Sequence, residues 1–259
     1  MRKVLISMYV LWFVFGIQIG YAYPQLESAE HVIQIVQFSS TYIKELDSDH
    51  DRVRVHTAEL LAPDTKFSHN LVLKIDGNIV LEGIFWNSKI MIGDVEDDSR
   101  PEVFLYEYSV GSAGAMGLSV FSRVENQWTR IFGDPVKSIF ADDDDDDRFS
   151  SKYLGNSRIG FSDNVTNLTG ELDMSESHFT QEQLKDMVFQ TDPISEYIVH
   201  YENIGCQIDA VRWVFAFSHP NGVLTVHDMY RFDYPEKVFK LYETKIQNND
   251  VTLAKMNYD

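Results

Sequence analysis

The chain has 259 residues, 44% of them hydrophobic and 13% aromatic, with 40 acidic against 22 basic side chains for a formal charge of −18. A surface that negative repels nucleic acid and anionic lipid, which excludes the classes of protein that bind either, and it attracts cations and basic partners. Cys206 is the only cysteine, which excludes an internal disulfide, so stability must come from core burial, helped by a metal.

The chain opens with an export signal. Arg2 and Lys3 precede an apolar run, Val4 to Gly20, and Gly20-Tyr21-Ala22 offers small residues where a signal peptidase reads them. Residues 1–22 are therefore expected to be removed after Ala22, with no membrane insertion afterwards; the alternative is an uncleaved anchor, because the apolar run nearly reaches the roughly 20 residues that span a bilayer. The leader contains two basic residues and no acidic ones, so its loss takes the charge from −18 to −20.

Strand patterns follow. His31–Phe38 and Val53–Leu61 are apolar and β-branched. Asn70–Ile75 and Asn78–Leu81 flank Asp76-Gly77, a two-residue hairpin signal. Lys89–Ile92, Glu102–Val110, Leu118–Val124 and Gln127–Phe132 continue the series, the last two around a turn at Glu125-Asn126. Asp142–Asp147 is a run of like charge, expected to repel itself and stay extended. Beyond it, Arg158–Phe161, Gly170–Met174, Ile194–His200, Asp209–Phe217, Gly222–Tyr230 and Val238–Lys245 read as strands. Thr180–Val188 reads as one short helix capped by Thr180, with Leu184, Met187 and Val188 on its apolar side, and 246–259 as a frayed tail. The fold class is mostly β, with antiparallel sheets in propeller-like or stacked-hairpin repeats and one short helix. The expected organisation is a first β module over 23–141, an acidic linker over 142–150 and a second, degenerate β module over 151–259.

A repeated layout of polar loop, strand, turn and hairpin begins near Glu45, Asp94 and Tyr201, at spacings of roughly 50 and 107 residues, one and two propeller-blade lengths. The loop GDVEDDSRPEV is the most specific of the three. Asp94, Glu96, Asp98 and Glu102 fall at positions 1, 3, 5 and 9. Alternate residues of a tight loop aim their oxygens at one point, and a hard divalent cation wants oxygen ligands so arranged; Ca²⁺ is the usual occupant. The backbone carbonyl of Arg100, at position 7, is the expected additional ligand, and Val95 and Val103 would anchor the loop to the core. A weaker second site places Glu45, Asp47 and Asp49 at 1, 3 and 5, but Val53 at position 9 cannot ligate. The third keeps only Asn203 and Asp209.

GDVEDDSRPEV resembles the FG-GAP/VCBS-type repeat, whose loop reads D-x-D/N-x-D-G-x-x-D/E before an apolar strand. GSAGAMG is similar to the glycine-rich turn that follows it in secreted bacterial members, and SKYLGNSRIGFSD and DPISEYIVHYENIG look like further segments of such proteins. The resemblance spans about residues 40–245, and only the 94–102 loop is specific. It implies propeller-like blades with Ca²⁺ in their loops, as in integrin α-chains, usually without catalysis. One departure is plain: position 6, usually glycine, is Ser99.

Other motifs are missing. The histidines form no HExxH, and the sequence contains no GxSxG, Walker loop or dinucleotide fingerprint. Asn164-Val-Thr and Asn167-Leu-Thr are glycosylation sequons that matter only in a host that uses them. The expected function is therefore a secreted or cell-wall, non-enzymatic β-repeat protein stabilised by Ca²⁺. Its role is structural or binding, toward a protein or glycan at the cell surface. The alternative is a secreted hydrolase with paired carboxylates acting on sugar or ester substrates.

Overall fold

The computed structural model describes residues 31–42, 52–62, 71–84, 87–109, 114–134, 148–202 and 205–258. The leader, Glu45, Asp47, Asp49, Asn203 and the Asp142–Asp147 run lie outside the described residues. Four antiparallel sheets, each an up-and-down meander, carry nearly all of the described chain. Sheet 1 runs β1 (His31–Tyr42), β2 (Arg52–Ala62), β3 (Leu71–Ile75) and β4 (Asn78–Ile84). Sheet 2 runs β5 (Asn87–Gly93), β6 (Glu102–Tyr108), β7 (Met116–Val124) and β8 (Gln127–Asp134). Sheet 3 has β9 (Phe149–Gly155) and β11 (Thr169–Asp173) at its edges and β10 (Arg158–Asp163) between them. Helix α1 (Gln181–Lys185) leads into sheet 4: β12 (Phe189–Glu202), β13 (Gly205–Ala216), β14 (Gly222–Asp233), β15 (Val238–Asn248) and β16 (Val251–Asn257). No helix among the described residues is long and apolar enough to cross a membrane.

Turn chemistry sets the hairpins. Asp76 and Gly77 both have positive φ, as do Glu125 and Asn126, and Asn156 and Ser157. Two left-handed central residues give the turn whose twist matches that of the flanking strands. The expected mostly-β class holds. Three local expectations do not. Residues 251–257 are not frayed: they form β16, in register with β15 from Glu243 opposite Asn257 to Asn248 opposite Val251. Strand β9 was not expected. The helix is shorter than its sequence pattern: Thr180 caps it through a reciprocal pair with Gln183, Leu184 is buried, and Val188 lies beyond its end and is exposed.

Period-two alternation explains the packing. In β6, Val103 and Leu105 face sheet 1, in a core with Phe38, Leu60, Leu73 and Phe121. Phe104 faces the other way, into a core with Leu118, Val120, Ile208 and Phe232 of sheets 2 and 4. Sheet 2 is thus covered on both sides, which is why β6 reads as a continuous apolar run. Burying one such phenylalanine contributes about 2–3 kcal/mol. Sheet 1 is also tied to sheet 2 by Gln34, whose amide donates to Ile90 O at 3.0 Å and accepts from Ile90 N at 2.8 Å.

Sheet 4 is a spine bearing two apolar cores side by side. Cys206, Ile208 and Ala210 of β13 meet sheet 2, while Val214 and Ala216, further along the strand, meet Ile159, Phe161 and Leu172 of sheet 3 and Leu184 of α1. Between the cores runs a polar belt. Buried Arg148 forks onto Asp163, Nε to Oδ1 at 3.1 Å and Nη2 to Oδ2 at 3.0 Å, and reaches Asp228 Oδ2 at 3.4 Å. Thr244 donates to Asp228 Oδ1 at 2.8 Å, and Thr166 to Asp163 Oδ2 at 2.8 Å. Burial opposes the Arg148 charge, but its bonds to Asp163 and Asp228 outweigh that and raise its pKa.

Candidate functional site where three sheets meet

The 94–102 loop joins β5 to β6. Val95 is buried in the core of sheets 2 and 4, and Val103 in the core of sheets 1 and 2, so two hydrophobic anchors hold the loop at its ends. Asp94 wraps it: Oδ1 accepts the Asp98 N–H at 3.2 Å and Oδ2 the Ser99 N–H at 2.9 Å. Asp97 and Ser99 adopt left-handed backbone, φ +53° and +62°. Ser99 therefore takes the conformation that glycine commonly supplies at that position, at a cost of roughly 1–2 kcal/mol. Asp98 Oδ1 accepts the Arg100 N–H at 2.9 Å, and its Oδ2 lies 3.3 Å from the Arg100 guanidinium. Burial raises the Asp98 pKa, and the charges of Glu96 and Asp94 add to the effect.

The other two carboxylates leave the loop. Glu96 forms an ion pair with Lys237, from the turn between β14 and β15. Glu102 turns inward: Oε2 accepts the Val95 N–H at 2.7 Å and Oε1 the Ser122 hydroxyl at 3.0 Å. Burial pushes its pKa from 4.5 to about 8, with help from the nearby charges of Asp94 and Glu96 and against the pull of its two hydrogen bonds. Near neutral pH the protonated acid predominates. Positive charge thus reaches the acidic loop from Arg100 and Lys237, two cations of the chain itself.

These oxygens fit a hard dication in kind. Asp94, Asp98 and the Arg100 carbonyl lie on the wrapped loop; Glu96 would join them once freed from Lys237, and Glu102 once ionised. Among the described residues, no group of three or more His, Cys, Asp or Glu side chains is gathered in the manner of a metal site. Asp209, of the third loop, lies within β13 and accepts from His227 Nδ1 at 2.9 Å. Cys206 is buried, and burial together with the nearby Glu102 pushes its thiol up to about 12, which suits a packing residue rather than a nucleophile.

A cavity of about 270 Å³ opens beside the loop. Sheet 1 contributes Ser40 and His56, sheet 2 contributes Glu102, Arg123 and Trp128, and sheet 4 contributes Lys237. Sequence reasoning missed Lys237, Ser122 and the sheet 1 wall, because each lies far along the chain from the loop. The one available signal was a histidine alternating with buried apolar residues, His56 before Ala58 and Leu60. No family model matches the chain, and neither a curated protein nor a solved structure shows significant similarity to it.

Proposed function

We propose that this chain is an exported β-repeat module whose 94–102 loop takes up a divalent cation, Ca²⁺ foremost, and that it has a structural or binding role toward a protein or glycan at the cell surface. The observation that carries this reading is the double cap made by Asp94, whose two oxygens hold the backbone of Asp98 and Ser99 in a wrapped loop. With Ser99 already left-handed, the loop's backbone needs no new turn to receive the ion. The resemblance of GDVEDDSRPEV to FG-GAP/VCBS-type loops, and the need of a strongly acidic chain for counter-charge, point the same way. Binding exchanges one cation for another: the ion draws Glu96 away from the ammonium of Lys237.

Extracellular calcium modules work at about 10⁻⁴ to 10⁻³ M. Calcium at tenfold over such a Kd adds about 1.4 kcal/mol, which for a chain of this size raises the Tm by roughly 3–6 °C. The test is thermal unfolding in millimolar calcium and in chelator. Wild type is expected to melt higher in calcium, Asp98→Ala to lose the difference, and Lys237→Met to reach half-effect at lower calcium. A wild-type melt that chelator leaves unchanged overturns the proposal.

A further inference from the structure

The ion reading leaves the sheet 1 wall of the cavity unused, and two of its side chains, Ser40 and His56, form a relay with Asp76 behind them. Ser40 Oγ lies 2.9 Å from His56 Nε2, and His56 Nδ1 lies 2.8 Å from Asp76 Oδ2. Asp76 is itself held, its Oδ1 accepting the Thr57 N–H at 3.1 Å and its Oδ2 the Trp128 indole N–H at 3.1 Å. Burial opposes its charge, but the bonds from His56, Trp128 and Thr57 outweigh that and keep its pKa below the usual carboxylate value. An ionised carboxylate only accepts, so the proton of neutral His56 must sit on Nδ1. That leaves Nε2 with a lone pair, and the Ser40 hydroxyl must donate to it. The imidazole cannot turn away, because Phe38 stacks on it at 5.2 Å and Trp128 meets it edge-on at 5.5 Å.

Sheet topology explains how these residues meet. In the β1–β2 register Phe38 faces His56, so Ser40, two residues on, occupies the same face on the diagonal. Asp76 closes the set from the β3–β4 turn. Both Ser40 and His56 line the cavity. The lining also includes Arg123 of sheet 2, whose Nη1 is buried without a hydrogen-bond partner while Nη2 donates to Asn126 at 3.1 Å. A nucleophile, a base and a cationic side chain with one unpaired donor therefore line one small space, and the orienting anion stands behind the base.

We propose that Ser40, His56 and Asp76 form a serine nucleophile site that hydrolyses short-chain, neutral acyl esters in this cavity. Ser40 Oγ bonds to the ester carbonyl carbon as its proton passes to His56 Nε2. The carbonyl oxygen becomes an oxyanion beside Arg123. The bond to the alkoxy group then breaks, and His56 returns the proton to the departing alcohol. Water attacks the acyl-serine by the same route, gives its proton to His56 and releases the acid, and Ser40 regains its hydrogen. The sum is ester plus water to acid plus alcohol, with no redox partner. Asp76 is a positioning residue. A cavity of about 270 Å³ suits a small ester, and the net charge of −18 disfavours anionic substrates. The site goes beyond the ion-binding reading and uses none of the loop's ligands.

The experiment treats the full chain with a fluorophosphonate probe, in calcium and in chelator, and locates the adduct by mass spectrometry; p-nitrophenyl acetate gives the turnover rate. Ser40 of the wild type is expected to displace fluoride from the probe's phosphorus and carry one phosphonyl group in both buffers. Ser40→Ala should carry none and hydrolyse p-nitrophenyl acetate at least 100-fold more slowly. Asp76→Asn presents an amide donor to Nδ1, moving the ring proton to Nε2. It should slow labelling by roughly 100-fold or more and flatten its pH profile, a change that loss of a merely structural bond would not produce. Unfolding curves confirm that each variant is folded. An unlabelled wild type, or a Ser40→Ala chain that keeps the wild-type esterase rate, overturns the proposal whether or not the calcium test succeeds.

Discussion

Glu102→Gln should make the protein more stable at neutral pH. Glutamine mimics the protonated acid: its carbonyl can accept the Val95 N–H, and its amide can donate to the Ser122 oxygen once that hydroxyl, which now donates to Glu102, turns to accept. The wild-type carboxyl has a pKa raised from 4.5 to about 8 by burial first and by the Asp94 and Glu96 charges second. The folded state therefore holds a proton that the unfolded state releases across that window. A group raised in this way costs nothing well below 4.5, and its cost grows as pH climbs to about 8. At about 1.4 kcal/mol per pH unit, the wild type loses about 3 kcal/mol from this group between about pH 5 and pH 7.5. Urea unfolding of both proteins in chelator, at those two pH values, isolates the group because all other titrations cancel in the difference. The lead of Glu102→Gln should be about 3 kcal/mol larger at the higher pH than at the lower. Parallel pH dependences would refute a buried neutral acid at this position.

Two further outcomes follow from the packing. Arg148→Met leaves the fully buried Asp163 without its counter-charge and should cost about 3–5 kcal/mol in urea unfolding; adding Asp163→Asn should restore much of that loss. Gly93→Ala places a methyl 1.9 Å from Tyr201 Oη and 2.9 Å from the Phe104 ring, and should cost about 1–3 kcal/mol. Tyr201→Phe in the same chain removes the nearest atom and should recover part of it.

The parts of the fold legible in the sequence were those encoded by neighbours. Asp76-Gly77 announces a hairpin because both of its central residues tolerate left-handed backbone, and Asn126 gives the same signal at one position of Glu125-Asn126. The apolar run of β6 announces a strand buried on both faces. Val95 and Val103 mark where the 94–102 loop enters the core. Strand β16 escaped notice because Thr252, Lys255 and the surrounding asparagines dilute its alternation, and because its pairing depends on β15. The site was legible only in part. The spacing of Asp94, Glu96 and Asp98 is local, but the partner of Glu96 lies 141 residues away, and no spacing rule reaches that far. Position 9 read as a ligand; the register of β6 buries Glu102 against the Val95 N–H and the Ser122 hydroxyl, and burial raises its pKa. Ser40, His56 and Asp76 stand 16 and 20 residues apart, distances that mean nothing until strand register is known.

The spine of the molecule is made after the sheets that it covers. Sheets 2 and 3 each need sheet 4 to cover an apolar face, yet its strands follow theirs in sequence. A chain emerging amino end first must therefore hold two greasy surfaces open until the strands of sheet 4 arrive and serve both at once. A premature stop anywhere before β13 would leave both surfaces bare on one polypeptide, and self-association would be its natural fate.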